Sequence, residues 1–140
     1  MNLIFIEDGK PLAKRIDTLW HGFEEPLAQV SQQPISGSVT LQLLPDVELE
    51  DLRELIAQAS LVLLELPTFT DGRVYSIAAA LRQHYQYTGC LRVFGDVRQD
   101  QIDELHRCGI DSFVLEDSQS SDETLTRFNA FGFRYQRPFG

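Results

Sequence analysis

Lysine is almost missing from this chain: Lys10 and Lys14 are the only ones in 140 residues. Arginine supplies the rest of the 12 basic residues, against 21 acidic ones, for a formal charge of −9. A field of that sign argues against general nucleic-acid binding and against docking on anionic membranes, because both surfaces are themselves negative. It suits a basic protein partner. Cysteine is scarce too. Cys90 and Cys108 form no CxxC, and His21, His84 and His106 lack metal-ligand spacing, so no metal site is expected. The phosphate-cradling GxxxxGK, the dinucleotide turn GxGxxG and the nucleophile elbow GxSxG are all missing, so no cofactor is evident. No apolar run approaches the ~20 residues of a membrane helix. The opening MNLIFIEDGK meets acidic residues at once, without a basic stretch before its apolar part, which does not fit a signal peptide. Two cysteines without such a signal fit a reducing cytoplasm.

At 43% hydrophobic and 24% charged, the chain can bury a core, and its length suits one domain. NLIFI at 2–6 reads as a short strand. Residues 1–37 otherwise form an irregular arm in which Gly22, Pro26, Pro34 and Gly37 break any long element, and in which Trp20 and Phe23 anchor a cover over one sheet face or edge. Regularity begins near residue 38. SVTLQLL at 38–44 alternates as a strand, and Leu49, Leu52, Leu55, Ile56 and Ala59 trace one face of a helix over 48–59. LVLLEL at 61–66 is a near-continuous apolar run, as in a strand buried on both faces. A helix over about 73–86, a strand at 91–94, a helix over 98–108 ending at Gly109 and a strand at 112–115 follow. A last helix starts near Ser120, with Glu123 at capping-box spacing.

The expected fold is therefore α/β, with repeated βα units over 38–130 and a mainly parallel sheet of four to five strands flanked by helices. The order of elements fits either an open three-layer sheet or a half-barrel-like one. The tail at 131–140 interleaves Phe131, Phe133, Tyr135 and Phe139 with Arg134 and Arg137, and reads as an edge strand or strap before it reads as a docking peptide.

In a parallel sheet the strand-to-helix turns share one edge, where helix N-termini point free N–H groups. Two polar turns meet there. The first supplies Thr68, Thr70, Asp71, Gly72 and Arg73, with Tyr75 and Ser76 in the helix that follows. The second supplies Gly95, Asp96, Arg98, Asp100 and Gln101. Arg73 and Arg98 offer forks for an anion, and Asp71 and Asp96 offer acid, base or orienting groups. Each residue also has a plain role: Asp71-Gly72 is a common turn pair, and Asp96 stands where an N-cap is wanted. Convergence on one edge is what favours function for the group.

The run Leu66-Pro67-Thr68-Phe69-Thr70-Asp71-Gly72-Arg73, then Tyr75-Ser76, Leu81-Arg82, Gly89, Leu91-Arg92, Gly95-Asp96-Val97, Asp100-Gln101 and Arg107-Cys108-Gly109-Ile110-Asp111, resembles an uncharacterised bacterial domain family described as a probable oxidoreductase involved in sulfite reduction. The likeness is close over 61–115. Leu66 stands where that family usually has phenylalanine, and Val74 where it often has glycine; both changes leave the polar set intact. Such families are typically encoded beside the haemoprotein of assimilatory sulfite reductase. The resemblance thus implies an accessory role in sulfur assimilation, with the haemoprotein or its electron donor as partner. The alternative is a small-anion-binding enzyme or sensor that uses the helix N-termini with Arg73 and Arg98. Oligomeric state and any reaction are not legible from the residues.

Overall fold

Leu61-Val62-Leu63-Leu64 has no polar side chain on either parity, so its strand is stable only with both faces covered. The computed structural model describes residues 1–7, 10–26 and 39–117. Its elements are β1 (Asn2–Glu7), β2 (Lys10–Arg15), β3 (Val39–Leu43), α1 (Arg53–Gln58), β4 (Ala59–Leu66), α2 (Arg73–Gln83), β5 (Cys90–Gly95), α3 (Ile102–Arg107) and β6 (Ser112–Leu115). Short 3₁₀ turns at Leu49–Leu52 and Gln99–Gln101 lead into α1 and α3. The apolar run lies in β4, between parallel partners β3 and β5, and Leu61, Val62 and Leu63 are fully buried.

Among the described residues the sheet is mixed and has six strands, in the order β2-β1-β6-β5-β4-β3. This corrects the expected four to five. β3 to β6 are parallel and adjacent in chain order, while β1 runs antiparallel to both β6 and β2. The irregular arm expected over 10–37 is likewise corrected at its start, because residues 10–15 form a strand. Pairing of Glu7 with Lys10 leaves only Asp8-Gly9 between the two strands, and Asp-Gly is a strong two-residue hairpin signal. Lys10, Pro11 and Lys14 suit an outer strand, since charge and a missing N–H discourage further pairing there. The helix expected near Ser120 and the aromatic tail at 131–140 lie outside the described residues.

Val62, Leu64 and Leu66 share a parity with Leu91, Val93 and Phe113 across the parallel ladders. They form one core with Leu55 and Ile56 of α1, Val74, Ala78 and Leu81 of α2, and Ile102 and Leu105 of α3. All three helices therefore cover the same face. This follows from right-handed crossovers between strands laid down in sequence order. On the other face Leu3, Ile16 and Val114 make a smaller cluster with Phe5, Leu19 and Phe94 packed on it. Arg92 fastens the segment after β2 to that face. Its Nε donates to Ser112 Oγ at 2.9 Å, and its Nη1 donates to the carbonyls of Leu19 and His21 at 2.9 and 3.0 Å.

A second arginine stitches the amino-terminal edge. Arg82 is buried in α2 at 7% exposure. Its Nε donates to the Gly109 carbonyl at 3.0 Å, its Nη1 to the carbonyls of Tyr87 and Gly89 at 2.8 Å each, and its Nη2 to Asp111 Oδ2 at 2.8 Å. The same carboxylate oxygen accepts from the Leu91 N–H at 2.9 Å, and the Asp111 N–H donates back to the Leu91 carbonyl at 2.9 Å. Gly109, at φ +107°, ends α3 in the left-handed region, where a side chain is strained. Removing one partner of a buried charged network strands the others. Arg82→Ala is therefore expected to lower unfolding free energy by about 3–5 kcal/mol, measured by urea denaturation. Gln83→Ala, on the exposed side of the same helix, should stay within about 0.5 kcal/mol of the parent.

Candidate functional site

The two polar turns lie at the carboxyl ends of β4 and β5, and Gly95 explains how they come so close. It has φ +106°, and a Cβ there would collide with the Leu66 carbonyl oxygen. With no side chain in the way, the Asp96 N–H donates to that same oxygen at 2.8 Å. The Asp96 carboxylate then reaches across, and its Oδ2 accepts from the Phe69 N–H at 2.9 Å. Asp96 thus ties one turn to the other, in place of the N-cap role its position suggested; the following 3₁₀ turn begins later, with Arg98 at its N-cap.

Gln101 closes the ring. Its Nε2 donates to the Phe69 carbonyl and, at 3.3 Å, to the Tyr75 hydroxyl, while its Oε1 accepts from the Arg98 N–H at 3.2 Å. Arg98 Nε pairs with Asp96 Oδ1 at 2.9 Å, and its guanidinium lies 4.5 Å from the centre of the Phe69 ring. Phe69 is thus held by both backbone groups and stacked on one face, yet it remains 45% exposed.

Asp71 and Arg73 form a separate pair. Arg73 donates from Nε and Nη2 to the two Asp71 oxygens at 3.0 and 2.7 Å, and its backbone N–H donates to Oδ1 at 3.0 Å. The first free N–H of α2 is therefore filled by the chain's own carboxylate. Thr68 and Thr70 hydroxyls lie 3.2 Å apart, and Gly72, at the α2 N-cap, is exposed like Ser76 and Asp100. The structure thus brings together Tyr75, Gly95, Asp96, Arg98 and Gln101, keeps Asp71 with Arg73, and leaves Ser76 and Asp100 at the surface. Phe69 was not among the expected site residues. Its position between two threonines in an otherwise polar turn was the available signal.

The Arg98 side chain first, and then the Phe69 N–H, hold the Asp96 carboxyl below the usual carboxylate range; Arg73 does the same for Asp71. Burial pushes the pKa of the Tyr75 hydroxyl up. Among the described residues no group of three or more His, Cys, Asp or Glu side chains could hold a metal ion. Two cavities lined by described residues lie away from this edge. One, of about 510 Å³, opens between the end of α1, the start of β4 and the 85–89 loop. The other is on the sheet face opposite α1, α2 and α3. Both cysteines are free thiols whose pKa burial raises, which leaves them unactivated.

The profile of a bacterial family, described as "Bacterial protein of unknown function (DUF934)", matches residues 40–140. The chain belongs to this family. The match takes in both polar turns and the Arg82 network. No curated protein and no solved structure matches the chain. No described helix of this family member is long and apolar enough to cross a membrane.

Two outcomes follow from this geometry. Gly95→Ala should cost roughly 1–3 kcal/mol, because it forces a side chain into a left-handed conformation against a carbonyl; urea unfolding measures this. Because the folded Asp96 pKa is lowered, its contribution to stability is whole above the unfolded value of about 3.9 and is lost as pH falls through the folded value. The Phe69 amide resonance should therefore titrate with a midpoint below about 3.9. A midpoint at or above that value would contradict the tie.

Proposed function

We propose that the protein is an accessory protein of assimilatory sulfite reduction and engages a protein partner, the reductase haemoprotein or its electron donor, through the carboxyl edge of the sheet. The observation that carries the docking part is Phe69: a large apolar ring, nearly half exposed, fixed at both backbone groups and backed by Arg98. A rigid aromatic with an arginine beside it, set in a polar rim, is the composition of an interface hot spot. Leu44, 52% exposed just beyond β3, adds apolar surface on the same edge. The sulfur-assimilation part rests on the resemblance of the residues around these turns to the family encoded beside the haemoprotein.

The small-anion reading has less support. Arg73 and Arg98 are each paired with an aspartate, and the Asp71 carboxylate occupies the α2 N-terminus. An incoming anion would have to displace those carboxylates within a chain of charge −9.

Immobilised protein is expected to retain the sulfite reductase haemoprotein or its reductase partner from purified components. Phe69→Ala should weaken that capture at least about tenfold, as truncating a hot-spot aromatic does, with thermal stability close to the parent's. Failure to retain either component would end the accessory reading. Retention unaffected by Phe69→Ala and by an Arg73→Ala, Asp96→Ala pair would move the interface elsewhere.

A further inference from the structure

The sheet face opposite α1, α2 and α3 holds a cavity of about 310 Å³ at the amino-terminal ends of β5 and β6. Cys90, Arg92 and Ser112 line it from those strands, and Leu3, Phe5 and Lys14 line it from the N-terminal hairpin. Its size is at the small end of the range for sites that enclose small molecules.

Arg92 is its unusual member. It is only 4% exposed, yet among the described residues its hydrogen-bond partners are neutral: the Ser112 hydroxyl, the Cys90 thiol and the carbonyls of Leu19 and His21, with the Phe23 ring 5.4 Å from the guanidinium. Asp111 also lines the cavity, but its carboxylate is committed to Arg82 and to the Leu91 N–H. A buried cation held by neutral groups is costly, and the cost falls when an anion meets it. Lys14, one of the two lysines in the chain, contributes a second positive charge to the same space. The remaining lining is the hydrocarbon of Leu3, Phe5 and Ile6, together with His21 and Cys90. A bare inorganic oxyanion would leave that surface uncovered.

We propose that this cavity binds a small organic carboxylate, with its charge at Arg92 and Lys14 and its apolar body against Leu3 and Phe5. Planar carboxylates suit guanidinium donors, and the ammonium of Lys14 acts as a mobile point charge beside it. The site lies at the opposite ends of the parallel strands from the proposed docking edge and stands independently of that reading.

The test is amide NMR on the full chain with sodium benzoate, benzyl alcohol and sodium sulfate at matched ionic strength. Benzoate is expected to give saturable shifts at Leu3, Lys14, Cys90 and Ser112, with a dissociation constant below about 1 mM. Benzyl alcohol, which has the ring without the charge, and sulfate, which has the charge without the ring, should each bind at least about tenfold more weakly. Arg92 also fastens the chain after β2, so the informative variant is Lys14→Gln at an exposed strand position; it should weaken benzoate about tenfold, the loss of one charge-assisted contact. Absence of saturable shifts at these amides, equal binding of either control, or unchanged benzoate affinity in Lys14→Gln would overturn the proposal.

Discussion

The buried Arg82 guanidinium is the constraint on which the rest of this fold depends. A charge at that depth is tolerable only when its donors are used, and Arg82 uses them on four groups from two helix-to-strand connections. It sets where α2 hands over to β5 and where α3 hands over to β6. Through Asp111 it also aligns the start of β5 with the start of β6, because one carboxylate oxygen serves both the guanidinium and the Leu91 N–H. With the amino ends fixed, the carboxyl ends of the same strands have little freedom in register. The Asp96 and Gln101 contacts to Phe69 depend on that alignment.

The two ends of the sheet use similar residues for different purposes. At the amino end, arginine and aspartate are consumed internally and largely withdrawn from water. At the carboxyl end, Arg73, Arg98 and Asp96 also find partners within the chain, but Arg73 and Arg98 stay about half exposed. The side chain those contacts leave uncommitted is the aromatic ring they surround. A turn of this kind presents a surface more readily than it encloses a ligand. The strand order adds to this: with β3 to β6 laid side by side in sequence, no reversal opens a crevice at their carboxyl ends.

Much of this was legible in the residues, for physical reasons. LVLLEL announced a strand covered on both sides, and SFVL at 112–115 matched β6 to the residue. The paired turns were foreseeable once the strands were taken as parallel. The hairpin was not read. β2 is KPLAKR, an outer strand with almost no buried side chain, so it lacks the alternation by which strands are recognised; only Asp8-Gly9 pointed to it. The roles of Arg82 and Arg92 were not legible, because periodicity says which face a residue occupies and not whether a set of carbonyls is waiting there. Asp96 was placed on the edge as a group that could orient an arginine, and it pairs with Arg98; its tie to the Phe69 N–H was not read, since a cap and a cross-turn tie require the same residue type. Phe69 escaped because an aromatic in a sequence reads first as core.

The pairing of β1 with β6 has a consequence for how the molecule is made. Strands β3 to β6 can each dock on the one just completed, and such short-range growth is fast. The hairpin emerges from the ribosome before these strands, but its neighbour in the sheet is encoded about a hundred positions later. Until β6 appears, β1 keeps one row of peptide groups without a sheet partner, and such an unpaired rim is a hazard in a nascent chain. The proline and lysines of β2 blunt the outer side of the hairpin during that wait. Leu3 and Phe5 gain their full packing only when the last parallel strand is in place.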